Sequence, residues 1–150
     1  MSTLTEQEKD NLFFVCTMIE YVSRQTKNHR HVVVDCLGAG GLNNELQHAD
    51  VNHCLPMEQV ADEWIEDYRI PTGDFDNVAE CRYTVPSVTA IGRLYQRLIL
   101  DVLHEQPLID TVQAVFSSFI MDEINYFNSN VYYQNPDYLR CSYEAGYMLA

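Results

Sequence analysis

The sequence predicts an all-α fold, a single compact domain of five to seven helices over residues 1–150. Three observations carry this. Apolar residues recur at three- and four-residue spacing over most of the chain. Four of the five prolines (Pro56, Pro86, Pro107 and Pro136) stand just before such a pattern, where the missing proline N–H costs nothing. With 150 residues, 47% hydrophobic and 21% charged, the chain has the composition of an ordinary globular domain. A chain of this length buries roughly two-thirds of its unfolded surface, enough for a core.

The first helix has a capping box, with Thr5 at the N-cap and Glu8 three residues on. Leu12, Val15, Cys16, Ile19 and Val22 then form one apolar stripe, and Lys27 suits the negative end of the helix dipole. Residues 1–5 are expected to fray. From about Asn28 to Asp50 the sequence predicts two short helices broken at Gly38–Gly41, with Gly38 as a left-handed stop. Val32–Val34 could form a strand, but no partner strand lies nearby. After Pro56, residues Val60, Ala61, Trp64, Ile65 and Tyr68 share a face. After Pro86 come Val88, Ile91, Tyr95, Leu98 and Val102. After Pro107 come Ile109, Val112, Phe116, Phe119 and Phe127, read as one helix whose pattern weakens toward its end. Asn135 caps a last helix that opens at Pro136. Arg69 to Pro86 is the one long connection, and a short hairpin near 79–85 stays open there as an alternative.

The formal net charge of −13 repels nucleic acid phosphates and anionic lipid, and favours a basic protein partner. The N-terminal residues are polar and acidic with no apolar signal segment, and no apolar run approaches membrane-spanning length. The five cysteines, an odd number without paired short spacing, fit reduced thiols in the cytoplasm.

Eight carboxylates and one arginine fall between Glu58 and Glu80. Asp62, Glu63, Glu66 and Asp67 lie opposite the Trp64 face, with Asp74 and Asp76 in the connection beyond. They read as a recognition patch for a basic partner or as a solvated face. Tyr126, Asn128, Asn130, Tyr132 and Tyr133 combine rigid aromatic area with amide hydrogen bonding, as binding surfaces do, or pin a corner to the core. The weak metal candidates are Cys36, His48, His53 and Cys54, whose spacing matches no established zinc pattern, and no cofactor is expected. The glycines at 38–41 lack phosphate-loop spacing.

Three stretches, "ADVNHCLPMEQVADEWIEDYRI", "VPSVTAIGRLYQRLI" and "INYFNSNVYYQNPDYL", resemble a group of small uncharacterised bacterial proteins. Some proteins of that kind are encoded beside toxins of ADP-ribosyltransferase type. The similarity runs from about Asn11 to Leu139 and carries no functional residues with it. It implies an antitoxin-like or accessory protein, and the charge, the aromatic–amide cluster and the absence of catalytic motifs lean the same way, toward a non-enzymatic module that binds and neutralises a partner. The alternatives are a metal-dependent or thiol enzyme using residues 29–54, and an acidic mimic of nucleic acid. Homodimerisation is compatible with each.

Overall fold

Thr5 and Glu8 set the start of the first helix as their spacing requires. Glu8 N–H donates to Thr5 Oγ1 at 3.1 Å, and Thr5 N–H donates to Glu8 Oε1 at 2.9 Å. This is a computed structural model describing residues 3–150. Of the fraying expected over 1–5, residues 1 and 2 lie outside the described residues, while Thr5 is fixed by its cap.

Helix α1 (Glu6–Thr26) ends at Lys27, whose left-handed backbone (φ 57°) turns the chain into α2 (Arg30–Asn52). The break in α2 falls at Gly38 alone (φ 65°, ψ −179°), a conformation almost reserved for glycine. The two expected helices are therefore two arms of α2, divided at one residue. Helix α3 (Met57–Asp67) follows Pro56, and α4 (Val88–Val102) is capped by Ser87 Oγ, which accepts from Ala90 N–H at 3.1 Å. Helix α5 is Leu108–Phe116 and α6 is Phe119–Asn125. A 3-10 turn at Val131–Tyr133 leads to α7 (Pro136–Ala145), where Asn135 Oδ1 accepts from Asp137 N–H at 2.8 Å.

Two expectations need correction. The helix after Pro107 does not run on toward Phe127. It stops at Phe116 and restarts at Phe119, because Ser118 is extended (ψ 164°) and its hydroxyl donates to Val115 O at 2.7 Å. A serine that satisfies a helix's last carbonyls competes with helix continuation. Nor is there a hairpin at 79–85, where no strand forms among the described residues. The Asn128 carboxamide takes the place of a partner strand: Arg82 N–H donates to its Oδ1 at 2.7 Å, and its Nδ2 donates to Glu80 O at 3.1 Å.

Helix α1 is the central element, packed against α2, α3 and α4, while α2 also packs on α5 and α4 on α7. Buried side chains from all seven α-helices join one apolar cluster. Glu45, buried on α2, accepts from Trp64 Nε1 at 2.9 Å and Tyr68 OH at 2.6 Å, which ties α2 to α3 and its C-cap. Burial, then the bond to Glu45, pushes the Tyr68 phenol up to about 12. No helix among the described residues is long and apolar enough to cross a membrane.

Helices α1 and α4 approach closely at Gly92. A Cβ on Gly92 would lie 2.2 Å from Thr17 Oγ1 and 2.8 Å from Thr17 Cα. Gly92→Ala forces these helices apart, and is expected to cost about 1–3 kcal/mol, the usual range for overpacking. Urea unfolding checks this, and an unchanged midpoint contradicts it.

Candidate functional site

Glu20 lies in the second half of α1 and is fully buried. Such a carboxylate must be paired or it would protonate. It is held from three directions. Arg30, the first residue of α2 and itself buried, donates from Nε to Oε1 at 2.9 Å and from Nη2 to Oε2 at 2.5 Å. Arg24, one turn along α1, donates from Nε to Oε2 at 2.7 Å. Tyr95 OH, from α4, donates to Oε1 at 2.7 Å. The paired fork of Arg30 on a carboxylate is the strongest such geometry. Burial pushes the Glu20 carboxyl upward. The Arg30 charge and hydrogen bonds, with Arg24 and Tyr95, outweigh this and hold it below its ordinary value. Burial, and then the Glu20 charge, pushes the Tyr95 phenol far up, so it stays protonated as a donor.

The network continues outward. Tyr95 OH accepts from Asn125 Nδ2 at 2.7 Å, and Asn77 Nδ2 donates to Asn125 O at 2.8 Å. Arg30 Nη2 also reaches Asn77 Oδ1 at 3.3 Å. Above these two asparagines opens a cleft of about 300 Å³, lined also by His29, Phe75, Glu80, Asp122, Tyr126, Phe127 and Asn128. The segment that carries Phe75 is stitched to the end of α1: Gly73 N–H donates to Thr26 O at 2.8 Å and Phe75 N–H to Lys27 O at 2.9 Å. Phe75 is stacked on His29 at 3.9 Å between ring centroids, with the Arg30 guanidinium 5.8 Å from its ring. A second concavity of about 450 Å³ shares His29 and Asp122 and adds His31 and Asp35.

The residues expected to bind a partner are divided among several places. Tyr126 is 56% exposed on the cleft's edge. Asn128 lines the cleft, but its amide is engaged with the 80–82 backbone. Asn130 is exposed. Tyr132 is half-buried, packed edge-on against Phe127 at 5.6 Å, while Tyr133 is 67% exposed. Asp62, Glu63, Glu66 and Asp67 are all exposed on α3. Asp74 is exposed, and Asp76 holds a turn, its Oδ1 accepting from Ala79 N–H at 3.0 Å. Phe75, Asn77, Asp122 and Asn125 were not singled out from the sequence as site residues, and His29 and Glu80 entered only as members of the 29–54 and 58–80 segments. Their grouping rests on contacts up to 48 residues apart along the chain.

Among the metal candidates, His48 Nδ1 lies 2.7 Å from Asn44 O and His53 Nδ1 lies 3.1 Å from Ala49 O. No group of three His, Cys, Asp or Glu side chains able to hold a metal forms among the described residues. All five cysteines are free. Burial pushes the Cys16 thiol far up and, with the charge of Asp35, raises that of Cys36. Cys54 is exposed, its Sγ 3.8 Å from His53 Nε2.

No family model, curated protein or solved structure matches the chain.

Glu20→Gln leaves two arginines without their counter-charge and is expected to cost about 3–5 kcal/mol. Because the folded carboxyl sits below its ordinary value near 4.5, its contribution is complete above that pH and is lost as pH falls through the lower folded value. The stability gap between wild type and Glu20→Gln, followed by urea unfolding, is thus expected to narrow below about pH 4.5. A gap independent of pH contradicts this.

Proposed function

We propose that this protein is a binding module that captures a basic protein partner and neutralises it, in the manner of an antitoxin. One observation carries the reading. Glu58, Asp62, Glu63, Glu66 and Asp67 all stand exposed on the 11-residue helix α3, and none forms an ion pair among the described residues. Like charges four apart, as in Asp62–Glu66 and Glu63–Asp67, cost helix stability by a few tenths of a kcal/mol per pair. The arrangement makes sense where a complementary surface is to be attracted. Such a field speeds encounter with a positive partner and repels phosphate backbones. Five unpaired cysteines suit a cytoplasmic setting. The sequence resemblance supports looking for the partner in the protein encoded beside this one.

Co-expression with that neighbouring protein tests the reading. The two are expected to co-purify at low salt. Neutralising four acids together (Asp62→Asn, Glu63→Gln, Glu66→Gln and Asp67→Asn) is expected to slow association about tenfold or more and flatten its salt dependence. No association at low salt overturns the proposal.

A second reading, thiol chemistry at Cys54, is favoured by its contact with His53. His53 Nδ1 is held by Ala49 O, which directs Nε2 toward the sulfur. A histidine acting as base is expected to make iodoacetamide alkylation of Cys54 several-fold faster than in His53→Gln. Equal rates remove this reading.

A further inference from the structure

We infer that the cleft between the α1–α2 turn, the 75–80 segment and α6 is the anchor pocket for an arginine side chain of the partner, an inference that rests on the binding-module reading above. Asp122 in the middle of α6 and Tyr126 at its C-cap stand four residues apart, and Glu80 faces the same cavity of about 300 Å³. Neither carboxylate forms an ion pair among the described residues, and no ring or cation is stacked on Tyr126 there. An open aromatic face beside a carboxylate is the arrangement that takes up an organic cation.

The cleft floor adds an independent pointer. Asn125 is 3% exposed. Tyr95 OH donates its proton to Glu20, so Asn125 must offer its NH2 to Tyr95. That turns Asn125 Oδ1 away from the network. Among the described residues no hydrogen bond reaches this oxygen, yet it is not one of the sealed, unpartnered buried atoms. Asn125 lines the cleft, and we place this free acceptor at the cleft floor. A nearly buried acceptor calls for a donor, and Asp122 and Glu80 give that donor a positive charge.

Arginine fits this set better than lysine. Its guanidinium is planar, carries five N–H donors in a fixed fork, and stacks on rings. The Oδ1 of Asn125 and two carboxylates offer acceptors at the floor and the rim, and Tyr126 offers the stacking face. The protein already pairs guanidinium with phenyl internally: Arg93 lies 3.7 Å from the Phe13 ring centroid and Arg24 lies 5.3 Å from that of Phe127. In both of those pairs, as with Arg30 and Phe75, the cation is the protein's own; Tyr126 lacks one.

The test titrates N-acetyl-arginine-amide into the full chain and follows backbone amide resonances by NMR, with N-acetyl-glutamine-amide as the neutral comparison. Saturable shifts confined to residues 75–80 and 122–128 are expected for the arginine compound alone. Asp122→Asn is expected to weaken its binding about tenfold, the scale of a charged hydrogen bond. Tyr126→Ala is expected to weaken it about threefold, the scale of an exposed cation–π contact. Equal binding of the glutamine compound, or no saturable shift in these segments, overturns the inference. If the neighbouring protein associates while the arginine compound leaves the cleft unshifted, the anchor is wrong and the binding module stands. If the arginine compound saturates the cleft but the neighbouring protein never associates, the pocket's cation chemistry stands and the binding-module reading falls.

Discussion

A buried carboxylate can be kept ionised only by partners that reach it through the protein, and Glu20 obtains them from three helices. Arg24 comes from its own helix, Arg30 from α2 and Tyr95 from α4. Each bond constrains an element: α2 must start where Arg30 can fork onto Glu20, and α4 must cross α1 where the tyrosine reaches. Gly92 permits that crossing, since any side chain there would collide with Thr17. Arg24 fixes the approach to α4 as well, donating to Pro86 O at 2.8 Å. Removing one partner would leave an uncompensated charge in the interior, which is why the network acts as a constraint on geometry more than as a source of stability.

The same network gives the cleft its floor. Tyr95 links Glu20 to Asn125, and Asn77 links Arg30 to the Asn125 backbone. Phe75, Asn77 and Glu80 belong to a segment without regular secondary structure, pinned by Thr26, Lys27 and Asn128. A segment so placed keeps its side chains at defined positions without a helix or strand of its own. The exposed acids of α3 supply long-range attraction, and the cleft supplies a local contact. Recognition commonly separates these roles, with charge governing encounter and a few buried anchors governing lifetime.

Features encoded within a few residues were legible in the sequence. The Thr5–Glu8 box and the prolines beside the Ser87 and Asn135 caps are local, and each helix start they imply is present; the break at Gly38 is local too, though its backbone (φ 65°, ψ −179°) is not the left-handed helical stop expected. The exposed face of α3 follows from helical spacing alone. The break between α5 and α6 was missed although Ser117–Ser118 marked it, because the apolar pattern continued across the two serines. The hairpin alternative failed for a different reason: Arg82 N–H and Glu80 O are satisfied by the Asn128 side chain, 46 and 48 residues away. The clamp was not legible. Glu20 and Arg24 sit one turn apart like any surface pair, and only the fold brings Tyr95, 75 residues on, against them. For the same reason Tyr126 stood in the sequence as either a binding ring or a corner pin, and only the fold sets it 56% exposed beside Asp122 and Asn125, which the sequence did not single out.

The central claim is that one buried network both fixes the helices and holds the cleft. Hydrogen–deuterium exchange on Tyr95→Phe tests it most directly, since the substitution removes a single hydroxyl at the link between Glu20 and Asn125. Faster amide exchange is predicted in residues 75–80 and in α6, with α1 still protected by Arg24 and Arg30 on Glu20. Exchange unchanged in both segments, or raised evenly over the chain, would contradict the account.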